Sequence, residues 1–478
     1  MAIERPKLNF RPKLNVLNDE QKREIHLAAL EVLERTGIKM THPKGLEILS
    51  GAGAKVEGDR VRIPSWLVEA AIRNAPSRLV LGNRNGQRSV FLEGDRSFFG
   101  PSLDCMAYLD PETDNRIPFT TDHCRVTAAL TDCLPHYDWS MVIGMASDVP
   151  PEISDRAIVR QALTYCRKPL VFCTHTVENE KDVLEMALLV CDGRENFERA
   201  PLIVHYSELI SPLTFFDPAV DKVLFSVENG MPLIILSAPQ LGGSAPASFA
   251  GTIVQGCAES LSGLVLGQLA KPGAPMIFGA QTTIMDMRTT IFSYGAPEMS
   301  LMISAMAEMA QFYRLPFFGT AGATDAKFND PQAGIEATFQ TLSAAAVGSS
   351  LVHDCSSWMD HGTLVSPAFM VMVNDILHMV NQFMKGIEVS EETVVLDLID
   401  KVGPGGNYLQ ETHTMENFRN IWYSDLFDRE MYDTWQERGA KRFSDRLREK
   451  TLEAMQHQTE PLAPEMVDEL DKMQKHWK

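Results

Sequence analysis

Eight short apolar segments recur through the middle of the chain at intervals of about 30 to 40 residues, with segments of helical composition between them. They begin at Ser97, Asp138, Pro169, Pro201, Pro232, Pro275, Pro316 and Ser350. Five of the eight open with proline, which a parallel strand accepts at its first residue but not within its hydrogen-bonded ladder. Strict alternation of strands and helices predicts a parallel α/β sheet, and eight such units predict a (β/α)8 TIM barrel.

The segments between these strands, and the one after the last strand, have the length and apolar spacing of barrel helices. They span residues 119–134, 153–167, 179–192, 217–229, 247–270, 296–313, 331–348 and 367–385. A doubly wound Rossmann-like sheet would also alternate in this way. Its GxGxxG fingerprint does not follow any early strand, and the glycine-rich stretches LGGSAP and GPGG do not match it. The barrel is therefore preferred.

At 478 residues the chain exceeds the roughly 250 residues of a minimal barrel, so further elements must flank it. Residues 1–95 are predicted to form an α+β extension with an amphipathic helix over 18–36 and a strand pair that turns at Asn85-Gly86. The barrel is expected over 96–385 and a C-terminal helical extension over 386–478. No Pro-, Gly- or Ser-rich linker separates these parts, so we expect them to pack together.

Composition excludes some classes of partner. The net charge of −19 disfavours broad attraction to nucleic acid or to an anionic membrane. The N-terminus lacks the apolar core of a signal peptide, and no run reaches the roughly 18 apolar residues of a membrane span. The 8 cysteines form no CxxC pair. We therefore expect a cytoplasmic protein whose thiols are mostly buried.

In such barrels the chemistry lies where the strands end. The polar residues at the ends of the eight segments are Asp104, His175, His205, Glu208, Gln240, Gln281, Thr320, Thr324, Asp325, His353 and Asp354. A single histidine in such a place is usually a hydrogen-bonded structural residue. Convergence of several polar groups on one mouth favours a binding site.

Aromatic residues also accumulate in the predicted loops. They are Tyr108, Tyr206, Phe215, Phe216, Phe292, Tyr294, Phe328 and Trp358. The faces of such rings attract quaternary ammonium groups, and we expect two to four of them to line a pocket while the rest belong to the core. Arg288 presents paired donors that match a carboxylate, although a surface arginine paired with Asp286 or Glu298 is an equal alternative.

A metal site is a further alternative. His175, His205, His353 and Cys355 are residue types that bind zinc. They come from different strands and include no short-range pair such as HxH or HExxH, so the pattern is weak. It leaves open a metal-assisted barrel hydrolase that uses the three histidines.

Two long motifs carry a family resemblance. They are GTAGATDAKFNDPQAGIEA, from Gly319 to Ala337, and GPGGNYLQETHTMENFRNIWYSDLFDRE, from Gly403 to Glu430. In these motifs, and along nearly the whole chain, the sequence resembles the trimethylamine methyltransferase superfamily. The resemblance implies a barrel and methyl transfer from a methylated amine to the cob(I)alamin of a separate corrinoid protein. It also implies that no cofactor is held tightly, since the corrinoid arrives with its partner.

The sequence departs from the archaeal trimethylamine enzymes of this family at one position. Those enzymes carry a pyrrolysine in the segment that corresponds to Lys327–Asp330, and this chain has Phe328 there. Without pyrrolysine, the resemblance implies a substrate whose nitrogen is already quaternary. Members that lack pyrrolysine include glycine betaine methyltransferases, so glycine betaine is the expected substrate; proline betaine, carnitine and γ-butyrobetaine are the alternatives.

A substrate site follows from these expectations. The ammonium group is expected to lie among Tyr108, Tyr206, Phe292, Tyr294, Phe328 and Trp358, and the carboxylate to be bound by Arg288, His175, His205 or His353, with Gln281 and Asp104 at the same mouth. No general base is required, so no catalytic residue is assigned. A non-enzymatic betaine-binding protein stays open as a third alternative, and the apolar loops and C-terminal extension favour a homo-oligomer.

Overall fold

Eight parallel strands form a closed barrel. The computed structural model describes residues 10–477. The barrel strands are β1 (Phe98–Phe99), β2 (Ser140–Met141), β3 (Leu170–Phe172), β4 (Ile203–Glu208), β5 (Leu233–Ser237), β6 (Met276–Ala280), β7 (Phe317–Thr320) and β8 (Leu351–His353). From β2 to β8, each strand is hydrogen-bonded to the next one in chain order, and β8 pairs with β1. The backbone N–H of Asp138 donates to the carbonyl of Phe99 at 2.7 Å, which joins the start of β2 to β1. The predicted (β/α)8 barrel is confirmed.

A barrel helix follows each strand, and one further short helix, Arg194–Arg199, lies between the third barrel helix and β4. The helices are α1 (Thr121–Cys133), α2 (Pro151–Tyr165), α3 (Val177–Val190), α4 (Asp217–Glu228), α5 (Phe249–Ala270), α6 (Pro297–Tyr313), α7 (Pro331–Val347) and α8 (Pro367–Met384). Local sequence explains where they begin, because a side-chain cap or an early proline satisfies the first turn. Side-chain caps are Thr120, Thr176, Ser248, Asp330 and Ser366.

The strands are buried on both faces. Across the barrel interior, the ring centroids of Tyr206 on β4 and Phe318 on β7 are 5.8 Å apart. Leu233 and Ile235 of β5 point outward into the apolar layer under the helices. Parallel strands that are covered on both sides carry no polar–apolar alternation.

The N-terminal extension is attached to the barrel through a shared sheet. Its α-helices are Asp19–Glu31, Pro43–Gly51 and Ser65–Asn74, and the first of them continues as a short π-helix over Val32–Thr36. It also contains two antiparallel strand pairs, Lys55–Glu57 with Arg60–Arg62 and Leu79–Gly82 with Arg88–Leu92. A further strand, Ile38–Met40, pairs in parallel with Thr214–Phe215 in the loop between β4 and α4. This pairing fixes the extension against the barrel.

The C-terminal extension is helical. It contains Glu391–Val394, Leu396–Val402, Thr412–Asn417, the 3-10 turn Phe418–Asn420, Tyr432–Glu437, Phe443–Ala454 and Pro464–Gln474. The last part lies beside α1 and α2, since His457 Nε2 is 3.1 Å from Asp132 Oδ2 and Arg160 donates to Gln474 at 2.7 Å. The boundaries at 95 and 385 stay predictions.

Helix α5 is long and apolar enough to cross a membrane, and it is the one such helix within residues 10–477. In its most apolar window 72% of the residues are buried inside the protein. The helix packs against α6 and against the N-terminal helices Asp19–Glu31 and Ser65–Asn74. Its composition is therefore that of a core helix.

Two small ladders of loop strands stand above the carboxyl ends of the barrel strands. Ala107–Leu109, after β1, pairs in parallel with Leu364–Val365, after β8. Gln240–Leu241, after β5, pairs with Thr283–Ile284, after β6. These ladders form opposite walls of the barrel mouth.

Candidate active site

The end of β4 directs two functional groups into the barrel. Tyr206 and Glu208 are two residues apart and therefore lie on the same face of the strand. The Tyr206 hydroxyl donates to Glu208 Oε2 at 3.2 Å. Glu208 lies deep in the mouth, surrounded by protein but still reached by solvent, whereas Tyr206 is buried. Burial and the nearby carboxylates of Glu208, Asp354 and Asp104 raise the pKa of the Tyr206 phenol, which keeps this group protonated.

A second carboxyl group comes from the loop after β1. Asp104 has a left-handed backbone (φ 58°), and Cys173 Sγ at the end of β3 lies 3.8 Å from its Oδ1. Burial raises the pKa of Asp104 to about 6. Burial, opposed by the hydrogen bond from Tyr206 and assisted by the charge of Asp104, raises the pKa of Glu208 to about 7. Near neutral pH the carboxyl group of Glu208 is therefore partly protonated, and that of Asp104 is mostly ionised.

The opposite side of the mouth is built by β6 and β8. Gln281 follows β6, and its Nε2 donates to the Tyr294 hydroxyl at 3.1 Å and to Asp354 Oδ2 at 3.4 Å. Asp354 follows β8, is fully buried and lies 2.9 Å from Nδ1 of His353. His353 in turn lies 2.9 Å from the Thr320 hydroxyl, measured from its Nε2. These contacts fix the third carboxyl group of the site.

Aromatic rings adjoin these carboxyl groups. The Tyr294 ring centroid lies 4.8 Å from that of Phe292 and 5.5 Å from that of Trp358. Asp325, after β7, holds the loop that carries Tyr294, since its carboxylate accepts hydrogen bonds from the backbone N–H groups of Tyr294 and Gly295, both at 3.0 Å. The Tyr294 ring, in the loop after β6, is thus positioned by a carboxylate whose two oxygens already accept hydrogen bonds.

Not every predicted residue reaches this site. His205 precedes Tyr206 by one residue and points the other way, toward the helices: its Nδ1 is 2.8 Å from the Ser226 hydroxyl and 3.2 Å from Glu180. Tyr108 is buried in the wall, where its ring stacks on His123 of α1 at 4.0 Å between centroids. In the described part of the chain, neither side chain forms a hydrogen bond or an ion pair with Asp104, Glu208 or Asp354.

Three further predicted residues lie at the rim. His175 is 59% exposed, contacts Asp155 at 3.3 Å and lines a separate cavity of about 660 Å³. Arg288 lies on an exposed hairpin after β6, and its side chain makes no ion pair with any residue of the described chain. Phe328 is 53% exposed in the loop after β7. They could contact a ligand only from the outer edge of the mouth.

The candidate zinc ligands do not converge. His205 faces α3 and α4, His175 lies on the rim, and the Cys355 thiol donates to the Ala321 carbonyl at 3.1 Å. Over residues 10–477, no three His, Cys, Asp or Glu side chains are grouped as a metal site. The geometry does not support the metal-assisted hydrolase.

Sequence reasoning missed two residues near the site. Cys173 stands at the end of β3 and could have been included by the strand-end rule. Lys222 lies on α4, where no such rule applies; its Nζ donates to the Thr174 carbonyl at 2.6 Å, and its charge acts to lower the pKa of Asp104 and Glu208. Burial raises the pKa of the Cys173 thiol well above its usual range, so Cys173 is not a ready nucleophile.

The site therefore combines aromatic faces with carboxyl groups, and the residues that the structure describes there include no activated nucleophile. Both kinds of group attract cations. The arrangement is suited to binding and orienting a cationic ligand whose own chemistry supplies the reactivity.

Comparison with known proteins gives a consistent result. The family model described as trimethylamine methyltransferase (MTTB) matches residues 3–476. Trimethylamine methyltransferase MttB of Desulfitobacterium hafniense (strain DSM 10664 / DCB-2) is 32% identical over 94% of this chain and 91% of its own length. Glycine betaine methyltransferase of D. hafniense (strain Y51) is 29% identical over 89% of each chain. The crystal structure of monomethylamine methyltransferase from Methanosarcina barkeri aligns with a TM-score of 0.46 at 13% identity, over 94% of this chain and 96% of its own.

Proposed function

The chain belongs to the trimethylamine methyltransferase family and is a methyltransferase, and from that premise we propose that it transfers a methyl group from a quaternary amine to the cob(I)alamin of a separate corrinoid protein. The observation that carries this proposal is the pairing of the Tyr294–Trp358–Phe292 rings with the carboxyl groups of the mouth.

The proposed reaction balances without a protein acid or base. The C–N bond breaks, the methyl group passes to cobalt, and the electron pair of that bond stays on nitrogen, which leaves as a neutral tertiary amine. Cobalt changes formally from Co(I) to Co(III) as it supplies the electron pair of the new bond. The protein has to hold the methyl carbon in line with the cobalt and keep water away.

The residue aligned with pyrrolysine supports a quaternary substrate. Phe328 offers no electrophile that could capture a tertiary amine. A tertiary amine would depart as an amide anion unless a proton or an adduct activated it, whereas a quaternary nitrogen departs neutral. The chain therefore suits donors that carry their own activation.

Roles for the inward-facing residues follow. Tyr294, Trp358 and Phe292 surround the methylated nitrogen, and Tyr206 closes the base of the site. The corrinoid enters as a co-substrate from the open side of the mouth, so the rim residues Arg288, Phe328 and His175 stand where a ligand's far end or a docked partner would lie.

Glycine betaine is the member of the substrate class that the family resemblance favours, and a relative with 29% identity carries that name. Proline betaine, carnitine and γ-butyrobetaine are the related alternatives. We also infer a cytoplasmic location, which agrees with eight cysteines that are all free thiols.

An anaerobic spectral assay tests the proposal. The protein is mixed with cob(I)alamin and, in separate reactions, each of the four betaines or trimethylamine, and the conversion to methylcob(III)alamin is followed while the amine product is identified by mass spectrometry. Methylation by a betaine, with the matching tertiary amine as product, supports the proposal. A protein that binds a betaine but never methylates cobalamin, even with corrinoid proteins added, would instead be a binding protein.

A further inference from the structure

Acidic side chains predominate around the candidate site. The carboxyl groups of Asp104, Glu208 and Asp354 come from three different strand ends, and all three act on the same Tyr206 phenol. Asp354 is fully buried and is also linked through Gln281 to Tyr294. The aromatic rings and the acidic groups therefore share one space.

Two cationic side chains act on these groups from a distance: His175 and Lys222 both act to lower the pKa of Asp104, but their direct partners lie elsewhere. Lys222 lies on α4 and donates to the Thr174 carbonyl at 2.6 Å. His175 faces Asp155 on the rim at 3.3 Å, and His353 lies between Thr320 and Asp354. No arginine in the described part of the chain forms an ion pair with Asp104, Glu208 or Asp354.

Arg288 does not alter this balance. It lies on an exposed hairpin between Met285 and Phe292, and its described contact is the backbone donation to Asp286 Oδ1 at 2.7 Å. Arg288 makes no ion pair with the three acidic groups in the described part of the chain, so a carboxylate one carbon away from a bound ammonium nitrogen would face those groups. Like charges at such separation repel strongly in a partly dehydrated site.

We propose that the preferred methyl donor is a quaternary amine of net positive charge, with no carboxylate near its nitrogen, because three carboxyl groups adjoin the rings and no lysine or arginine among residues 10–477 forms an ion pair with them. The inference rests on the proposed function and narrows it: it departs from the expectation of glycine betaine and favours donors whose second substituent is neutral, such as a hydroxyalkyl group.

Two measurements test the preference separately from the reaction. Binding of tetramethylammonium, choline and glycine betaine is measured by isothermal titration calorimetry without any corrinoid. The methylation rates of cob(I)alamin are measured with the same three compounds. We expect choline and tetramethylammonium to bind at least about tenfold more tightly than glycine betaine, and choline to have the higher kcat/KM by a similar factor.

A charge-removing variant supplies the control. Glu208→Gln keeps the shape of the side chain and should reduce the ratio of choline to glycine betaine affinity several-fold, whereas Glu185→Gln, on the exposed side of α3, should leave the ratio unchanged. Equal or tighter binding of glycine betaine by the unmodified protein, or an unchanged ratio in Glu208→Gln, overturns the inference. Cation-selective binding with no methylation from any quaternary amine would sink the proposed function and leave the charge preference standing.

Discussion

At the scale of single residues, the aromatic group in the mouth determines how a methylated nitrogen can be held. Tyr294 is held by Asp325 and Gln281, and its ring lies beside those of Phe292 and Trp358. A quaternary nitrogen has no N–H to donate, so its affinity must come from ring faces, from nearby charge and from the exclusion of water.

Replacement of Trp358 tests this role. Trp358→Ala should raise the KM for a quaternary amine about 2- to 30-fold, which corresponds to a cation–π interaction of about 0.5–2 kcal/mol. Trp358→Phe retains a ring and should recover most of the affinity. Steady-state kinetics with circular dichroism as the check on folding would decide it, and an alanine variant with unchanged KM would remove Trp358 from the pocket.

The pH dependence of ligand affinity follows from the carboxyl groups. Glu208 has a pKa raised to about 7, and the groups that face it are Tyr206, Asp104 and Lys222. A bound cation favours the ionised carboxylate, so affinity for tetramethylammonium should rise several-fold as pH increases from about 6 to about 8, as Glu208 loses its proton.

Calorimetry at several pH values measures this rise. Glu208→Gln should abolish the inflection near pH 7 and leave the smaller one that belongs to Asp104, whose pKa is raised to about 6. An affinity that is flat or falls over this range in the unmodified protein would contradict the assignment of Glu208 to the cation site.

Single-residue roles were only partly predictable from the sequence. The strand-end rule selected Asp104, Glu208, Gln281 and Asp354, which the structure brings together around Tyr206 and Tyr294. It also selected His205, which points outward because it is one residue from Tyr206. Since these strands are buried on both faces, no alternation in the sequence shows which of two neighbours faces the barrel.

At the scale of elements, a buried polar group joins three parts of the barrel wall. Glu180 on α3 accepts a hydrogen bond from Ser226 on α4 and approaches His205 on β4 at 3.2 Å. Burial raises the pKa of Glu180 to about 8 and lowers that of His205 well below its usual value. Both side chains are therefore neutral within the packed wall.

Stability should depend on pH through this group. The folded-state pKa of Glu180 lies above its usual value of 4.5, so the folded state binds the proton more tightly than the unfolded state does. The stabilisation is complete below about pH 4.5 and is lost as pH rises toward about 8, with a total effect on the order of a few kcal/mol.

Thermal unfolding between pH 7 and pH 8.5 checks this expectation, because below about pH 6.5 protonation of His205 in the unfolded state acts in the opposite direction. Glu180→Gln mimics the protonated acid and should reduce the loss of Tm over this range, while Glu185→Gln on the exposed face of the same helix should follow the unmodified protein. An identical pH profile in Glu180→Gln would show that this carboxyl group does not control stability.

Elements were the most predictable level of the structure. Every barrel helix begins and ends within two residues of its predicted bounds, because capping side chains, early prolines and following glycines act locally. The small loop ladders, such as Ala107–Leu109 with Leu364–Val365, were not predicted. They pair residues far apart in sequence, which local patterns do not reveal.

At the scale of the whole molecule, the C-terminal extension leaves a large apolar surface uncovered. The large apolar side chains exposed between residues 387 and 432 are Ile387, Val389, Val394, Leu396, Ile399, Tyr408, Leu409, Met415, Phe418, Ile421, Tyr423, Phe427, Met431 and Tyr432. The apolar area that these side chains expose sums to on the order of 1,000 Å², which is comparable to one side of a stable interface. We infer that a second copy of this chain covers it.

Light scattering after size-exclusion chromatography tests this inference. The protein should elute as an assembly of at least two chains of 53.2 kDa. Paired Leu409→Glu and Met431→Glu substitutions should shift it toward the monomer, because both residues are about four-fifths exposed (78% and 80%). Leu27→Glu, an exposed apolar position on the N-terminal helix, should not. A monomeric unmodified protein at micromolar concentration would contradict the inference.

The central claim is that this methyltransferase acts on a nitrogen that is already quaternary. It is tested most directly by the initial rate of methylcob(III)alamin formation from two matched pairs, choline against N,N-dimethylethanolamine and tetramethylammonium against trimethylamine, since the members of each pair differ by one methyl group on nitrogen. We predict methylation from the quaternary member of at least one pair and none above background from either tertiary amine. Methylation from a tertiary amine at a rate equal to or above that of its quaternary partner would contradict the account.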